Sequence, residues 1–169
     1  ELATTEAEYL QVIIGKTATL FAAATEIAAV ITGQPQHQQP LHDYGMSLGI
    51  AFQIIDDALD YAADQATLGK AVGDDFREGK ITLPVIHAYQ QGSAAERQFW
   101  ERTLAQQVQE ANDFATATAL LQQHGSINYA LRQAESYCKK ALHQLEAFAP
   151  SPEKSALAEI VHFCTHRAY

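Results

Sequence analysis

The stretch LGIAFQIIDDALDYAAD, residues 48–64, constrains the fold of this chain more than any other. Read as a helix, it places Gln53, Asp56, Asp57 and Asp60 at i, i+3, i+4 and i+7, which is one face. That spacing ordinarily marks the apolar stripe that packs into a core. Here the stripe is polar and acidic, while Ile50, Phe52, Ile54, Ile55 and Leu59 cover the remaining surface. A helix apolar on most sides belongs inside a protein, and buried carboxylates are costly unless something compensates them. The pattern therefore predicts carboxylates lining a cavity. Gly45 and Gly49 lie on the same side one and two turns earlier, and their small size is expected to leave space above the acidic groups.

Composition limits what such a cavity can serve. A chain of 169 residues suits one domain with a sizeable core. It is 47% hydrophobic with nine Gly and five Pro, which favours an all-helical protein. The net charge of −9 argues against a nucleic-acid partner, since phosphate backbones are held by basic surface. Cys138 and Cys164 make neither a CxxC metal motif nor a disulfide framework, and fit a reducing cytoplasm. No apolar run is expected to reach membrane-spanning length, because the best candidate, TATLFAAATEIAAVITG, is interrupted by Glu26. No signal peptide stands out. The opening ELATTEAEYL, without Met, reads as a trimmed N-terminus or as the interior of a longer gene.

Periodicity and punctuation predict a succession of helices. Thr4 or Thr5 caps a first helix from about Glu6 to Thr32, stopped by Gly33 and Pro35. Ala18, Ala22, Thr25 and Ala29 give it a face of small residues, so a neighbour is expected to pack very close there. The acidic-striped helix follows from about Leu41 to Asp64, then a Gly-punctuated segment and a short helix in LPVIHAYQQ. Ser93 to Glu96 reads as a capping box, and the polar run from Ser93 to Gln109 as a solvated face. SINYALRQAESYCKKALHQLEAF is amphipathic, and the last helix opens with Ser151 as cap and Pro152 in its first turn.

Asp56 and Asp60, one turn apart with Asp57 beside them, suit a hard divalent cation. Mg²⁺ keeps waters and typically takes one or two carboxylates together with substrate phosphates. Such a helix is a poor closed cage and a good half-site, whose other half would be a diphosphate. Lys70 and Lys80, each beside a Gly that lets backbone approach closely, supply positive charge for such a ligand, and Asp74 could add a further contact. The competing structural reading makes Asp56, Asp57 and Asp60 a solvated face paired with those lysines. The apolar residues wrapping the rest of the helix favour the metal–diphosphate reading.

The segments GKTATLF, GIAFQIIDDALDY, LGKAVGDD and REGKITLPVI, in that order, resemble the head-to-tail trans-isoprenyl diphosphate synthases, most closely the long-chain octaprenyl and decaprenyl type. The resemblance is specific from about Tyr9 to Pro84 and continues weakly beyond. It implies an isoprenoid-synthase-type helical bundle, of which this chain would be the C-terminal part. It implies a prenyltransferase that condenses isopentenyl diphosphate with an allylic diphosphate in the presence of Mg²⁺. By this likeness DDALD is the second aspartate-rich motif, so Asp56, Asp57 and Asp60 would hold Mg²⁺. Lys16, Lys70 and Lys80 would bind the departing diphosphate, while Thr17 and Gln53 would lie beside the developing allylic cation, with Lys16, Thr17 and Gln53 as the catalytic set. The first aspartate-rich motif and the upstream residues that bind isopentenyl diphosphate in the family do not occur in this sequence. The missing motif is expected upstream in the same polypeptide or on a separate chain, and the complete enzyme is expected to be a homodimer.

Other features carry bland readings. Phe52 reads as core rather than cation-facing. His162 and His166, at i, i+4, lack a third ligand for zinc and read as surface, as does Arg167. Two other classes compete with the enzyme: a non-catalytic helical subunit of a heteromeric synthase, and a terpene cyclase. The retained lysines, Gln53 and aspartates argue against the first, and the LGKAVGDD and REGKITLP segments against the second.

Overall fold

A computed structural model of the chain describes residues 4–62 and 72–166, and no strand occurs among them. Lys70, Asp64 and Arg167 lie outside the described residues. The helices are α1 (Glu6–Ile13), a π-helical turn (Ile14–Ala18), α2 (Thr19–Ile31), a 3₁₀ turn (Pro35–His37), α3 (Gln38–Ala62), α4 (Asp74–Arg77), α5 (Leu83–Gln91), α6 (Ala94–Trp100), which runs into a second π-helical turn (Glu101–Ala105), α7 (Asp113–Gln123), α8 (Ser126–Gln144) and α9 (Pro152–His166). The expected all-α class is what the described residues form. The chain divides into two compact units, one of residues 1–9 and 56–131, the other of residues 10–55 and 132–169.

Capping chemistry sets the helix starts. Thr5 Oγ1 accepts from the Glu8 N–H at 3.2 Å while Glu8 Oε2 accepts from the Thr5 N–H at 2.7 Å, a capping box that opens α1. Ser93 and Glu96 repeat the arrangement at α6. Ser151 Oγ accepts from the Lys154 N–H at 3.1 Å and Pro152 stands first in α9, where its missing N–H has no partner to lose. The amphipathic run ends sooner than its pattern suggested, closing in a 3₁₀ turn at Leu145–Ala147.

In the unit of residues 10–55 and 132–169, α2 and α3 pack antiparallel, residue 17 meeting 53, 18 meeting 49, and 25 meeting 45. The small face is confirmed: Ala18, Ala22 and Ala29 are buried. Thr25 Oγ1 donates to the Leu41 carbonyl at 2.6 Å, tying α2 to the first turns of α3. Gly45 and Gly49 correct the expectation of open space. Both are buried, and a Cβ at Gly49 would stand 2.6 Å from the Ala18 Cα. These glycines bring two backbones together, and the π turn and α2 fill the volume expected to be open. In the same unit Tyr44 donates from its hydroxyl to the Leu157 carbonyl at 2.9 Å, and Cys138 and Cys164 are both buried as free thiols.

The unit of residues 1–9 and 56–131 centres on Tyr61, Phe76, Val85, Ala88, Trp100, Leu104, Ala117 and Leu121. The run from Ser93 to Gln109 is therefore not only a solvated face, since Trp100 and Leu104 turn inward from it. Gly73 sits at φ 86°, a left-handed conformation that admits Gly readily, and a Cβ there would press on the Phe114 ring at 2.6 Å.

The helical run Glu6–Ile31 is long and apolar enough to cross a membrane by length and composition, which corrects the expectation that Glu26 breaks it. Its polar groups are nonetheless bonded within the protein, from Tyr9 to Asp57, Thr17 to Gln53 and Thr25 to Leu41.

Candidate functional site

Lys16 and Thr17 stand in the π-helical turn Ile14–Ala18, where the chain makes one wide turn between two α-helices. Such bulges re-aim the side chains they carry and recur at functional positions. The Lys16 side chain is exposed, and Thr17 Oγ1 donates to Gln53 Oε1 at 2.7 Å. Gln53 is 7% exposed, so this bond satisfies a polar group that burial would otherwise penalise. Thr17 and Gln53, paired in the sequence only by resemblance, are thus in contact.

α3 runs unbroken from Gln38 to Ala62 and carries Gln53, Asp56, Asp57 and Asp60. The three aspartates differ in setting. Asp57 is 5% exposed, whereas Asp56 and Asp60 are half-buried. Asp57 Oδ2 accepts from the Tyr9 hydroxyl at 2.7 Å. Burial, reinforced by the Asp57 charge, pushes the Tyr9 phenol far up, so it remains a donor. Asp60 Oδ2 accepts from the Asp75 N–H at 3.0 Å, and its own carbonyl accepts from the Gly73 N–H at 3.0 Å. These two bonds fasten the segment around α4 to the end of α3. Burial holds the Asp60 carboxyl above its ordinary value, opposed by backbone donors and reinforced by the Asp75 and Asp74 charges.

Lys80, expected on a diphosphate, forms ion pairs with Glu78 at 2.7 Å and Asp75 at 2.9 Å. Bonds first from Glu78 and then from Asp75 raise its pKa, fixing a full positive charge. Asp74 is exposed and pairs with Arg77 at 2.6 Å. The fourth expected ligand-binding residue, Lys70, lies outside the described residues.

Among the described residues, no group of three or more His, Cys, Asp or Glu side chains is arranged as a ready metal cage. This covers His162 and His166, which are exposed beside a cavity of about 300 Å³ that is also lined by Cys138 and Val161. The α3 carboxylates nonetheless fit a hard cation. Their donors are all oxygen, and Asp60 lies close enough to Asp75 and Asp74 for like charge to raise its pKa. Phe52, half-buried, packs its ring on Phe21 with centroids 5.6 Å apart, a core role more than a cation-facing one.

Sequence reasoning missed Tyr9 and Asp75. Tyr9 lies seven residues before Lys16 on the same helical run, a spacing that would have placed it on the Lys16 side. Asp75 gave no signal apart from adjacency to Asp74.

Comparison with known proteins decides the family. Residues 1–121 match the polyprenyl synthetase family. The chain belongs to that family. It is 40% identical over 168 residues to octaprenyl diphosphate synthase of Haemophilus influenzae, covering 98% of this chain and 50% of that protein. It is also 40% identical over 164 residues to the all-trans-nonaprenyl-diphosphate synthase of Rhodobacter capsulatus, again covering 50% of the relative. Its fold matches a decaprenyl diphosphate synthase from Rhodobacter capsulatus with TM-score 0.94 and 43% identity, over 100% of this chain and 52% of that one. A polyprenyl synthase from Caulobacter crescentus, solved with calcium and isoprenyl diphosphate, matches with TM-score 0.93 and 42% identity, over 100% and 52%. The chain spans about half the length of the relatives it matches.

Proposed function

We propose that this chain is the C-terminal portion of a trans-polyprenyl diphosphate synthase, a prenyltransferase that joins isopentenyl diphosphate to an allylic diphosphate. The observation that carries the reading is α3 itself. One unbroken helix bears Gln53, bonded to Thr17, and one to two turns further on Asp56, Asp57 and Asp60, in a chain of the polyprenyl synthetase family.

Asp56, Asp57 and Asp60 would hold Mg²⁺, which when bound supplies the positive charge that stabilises a leaving diphosphate. Lys16, Lys70 and Lys80 would bind that diphosphate directly, Lys80 by exchanging part of its bonding to Asp75 and Glu78. These cations act on charge that grows in the transition state, which is where fixed charge accelerates a reaction. Gln53 and Thr17 present oxygen dipoles suited to an electron-poor allylic carbon, and their mutual bond fixes both in place. An apolar helical interior around such a carbon would shelter it from water.

The exposed apolar surface supports a missing portion of the fold. Val12, Leu20, Ile27, Val30 and Ile31, between 49% and 76% exposed, all lie on the run from α1 through α2. Five large apolar side chains on one helical run form the kind of surface that proteins cover. The reading assigns that cover to the remainder of the enzyme, which would carry the first aspartate-rich motif, and expects the complete enzyme to dimerise.

The test is turnover with Mg²⁺, labelled isopentenyl diphosphate and a short allylic diphosphate. The expected result is no product from this chain alone, and prenyl products after adding the N-terminal half of a family synthase. Prenyl products from this chain by itself would remove the half-site reading. No product from the combined halves would make the chain a non-catalytic subunit.

A further inference from the structure

The buried contact between Tyr9 and Asp57 carries an inference beyond the assignment of metal ligands. Tyr9 lies 4% exposed on α1, and its hydroxyl donates to Asp57 Oδ2 at 2.7 Å. Asp57 is the most enclosed of the three aspartates, at 5% exposure. Both residues lie in the unit of residues 1–9 and 56–131.

We propose that Tyr9 is a positioning residue, which fixes the carboxylate plane of Asp57 for a Mg²⁺–diphosphate ligand. The inference rests on the metal role proposed above for Asp57. A carboxylate on a short side chain turns about its last bond, and Mg²⁺ demands near-ideal octahedral geometry. A phenol donating along one carboxylate oxygen removes that rotation before the ligand arrives. A short, charge-assisted O–H···O⁻ bond is strong enough to hold the orientation. Loss of a partner that hydrogen-bonds to a metal ligand commonly costs about 10-fold to 100-fold in metal affinity.

The experiment is calorimetric titration of Mg²⁺ with inorganic pyrophosphate into the whole chain, without turnover, for wild type, Tyr9→Phe, Tyr44→Phe, Asp57→Asn and the double variant Tyr9→Phe/Asp57→Asn. Tyr44→Phe removes a different buried hydroxyl, the one bonded to Leu157, and serves as the control for lost stability. Tyr9→Phe is expected to weaken Mg²⁺–pyrophosphate binding about tenfold, while Tyr44→Phe leaves it at the wild-type value. In the Asp57→Asn background, adding Tyr9→Phe is expected to change nothing further, because its effect runs through Asp57. That pair also replaces the buried charge with a neutral amide, and a further loss on adding Tyr9→Phe to it would overturn the role even where Tyr9→Phe alone does not fold. Wild-type affinity in Tyr9→Phe, or equal losses added on top of Asp57→Asn, would overturn the positioning role and leave the metal reading intact. Absence of binding by the wild-type chain, or wild-type affinity in Asp57→Asn, would overturn both readings.

Discussion

Asp60 has two tasks that oppose each other. Its carboxylate fastens the segment around α4 by accepting from the Asp75 N–H, and in the proposed function it also holds a cation. Burial, together with the Asp75 and Asp74 charges, raises its pKa above the ordinary 3.8. A raised folded-state value means that the protonated group stabilises the fold; that contribution is complete below about pH 3.8 and is lost as pH climbs through the raised value. Near neutral pH the ionised carboxylate therefore costs stability. Asp60→Asn keeps an acceptor for the Asp75 N–H and removes the charge. Its melting temperature is expected to exceed that of wild type near pH 7, with the gain shrinking toward pH 4, as followed by circular dichroism. Adding Mg²⁺ with pyrophosphate is expected to stabilise wild type more than the variant, since the repelling charges are the ones a cation would satisfy. Thr17→Val tests the neighbouring polar contact. It deletes the donor to Gln53 Oε1 at similar volume, and is expected to cost about 1 kcal/mol in urea unfolding. In the complete enzyme it should lower kcat more than it raises KM, because the pair is assigned to the developing cation rather than to ground-state binding.

At the scale of elements, the close pair α2–α3 and the π turn that precedes α2 set where the polar groups stand. Gly49 allows α3 to approach so near that an added Cβ would lie 2.6 Å from the Ala18 backbone. Gly49→Ala is therefore expected to destabilise by about 1–3 kcal/mol, through displacement of two packed helices. A shifted urea midpoint with an unchanged slope is the signature that checks it. The π turn has a different consequence. It places Gly15 inside a helical run, where an added Cβ would meet nothing within 4 Å. Gly15→Ala is therefore expected to stabilise by about 0.5–1 kcal/mol, read as a higher urea midpoint with an unchanged slope.

For the whole molecule, the exposed apolar run from Val12 to Ile31 is the feature with the largest expected effect on behaviour in solution. Leu20→Lys with Ile31→Glu is expected to change folding stability by no more than about 0.5 kcal/mol, as for surface positions. It should reduce self-association in size-exclusion chromatography and prevent rescue by an added N-terminal half. Helix content, most helix starts and the acidic stripe were legible without coordinates, because capping pairs such as Ser93–Glu96 and the 53, 56, 57, 60 spacing are local chemistry. The π turn was not legible, since nothing in IGKTA distinguishes it from an α-helix of the same composition. Nor was the close packing at Gly45 and Gly49, because a small residue signals equally a cavity and a near neighbour, and only the position of α2 separates the two. Lys80 illustrates the same limit, as its ion pairs with Asp75 and Glu78 come from the fold of the segment that carries it. The amino-acid sequence by itself determined that this chain is helical and that Gln53, Asp56, Asp57 and Asp60 share one helical face, since both follow from residue type and helical period. Which aspartate is enclosed, which phenol bonds to it, and which helices touch were decided by tertiary structure, because burial and hydrogen-bond partners join residues as far apart as Tyr9 and Asp57.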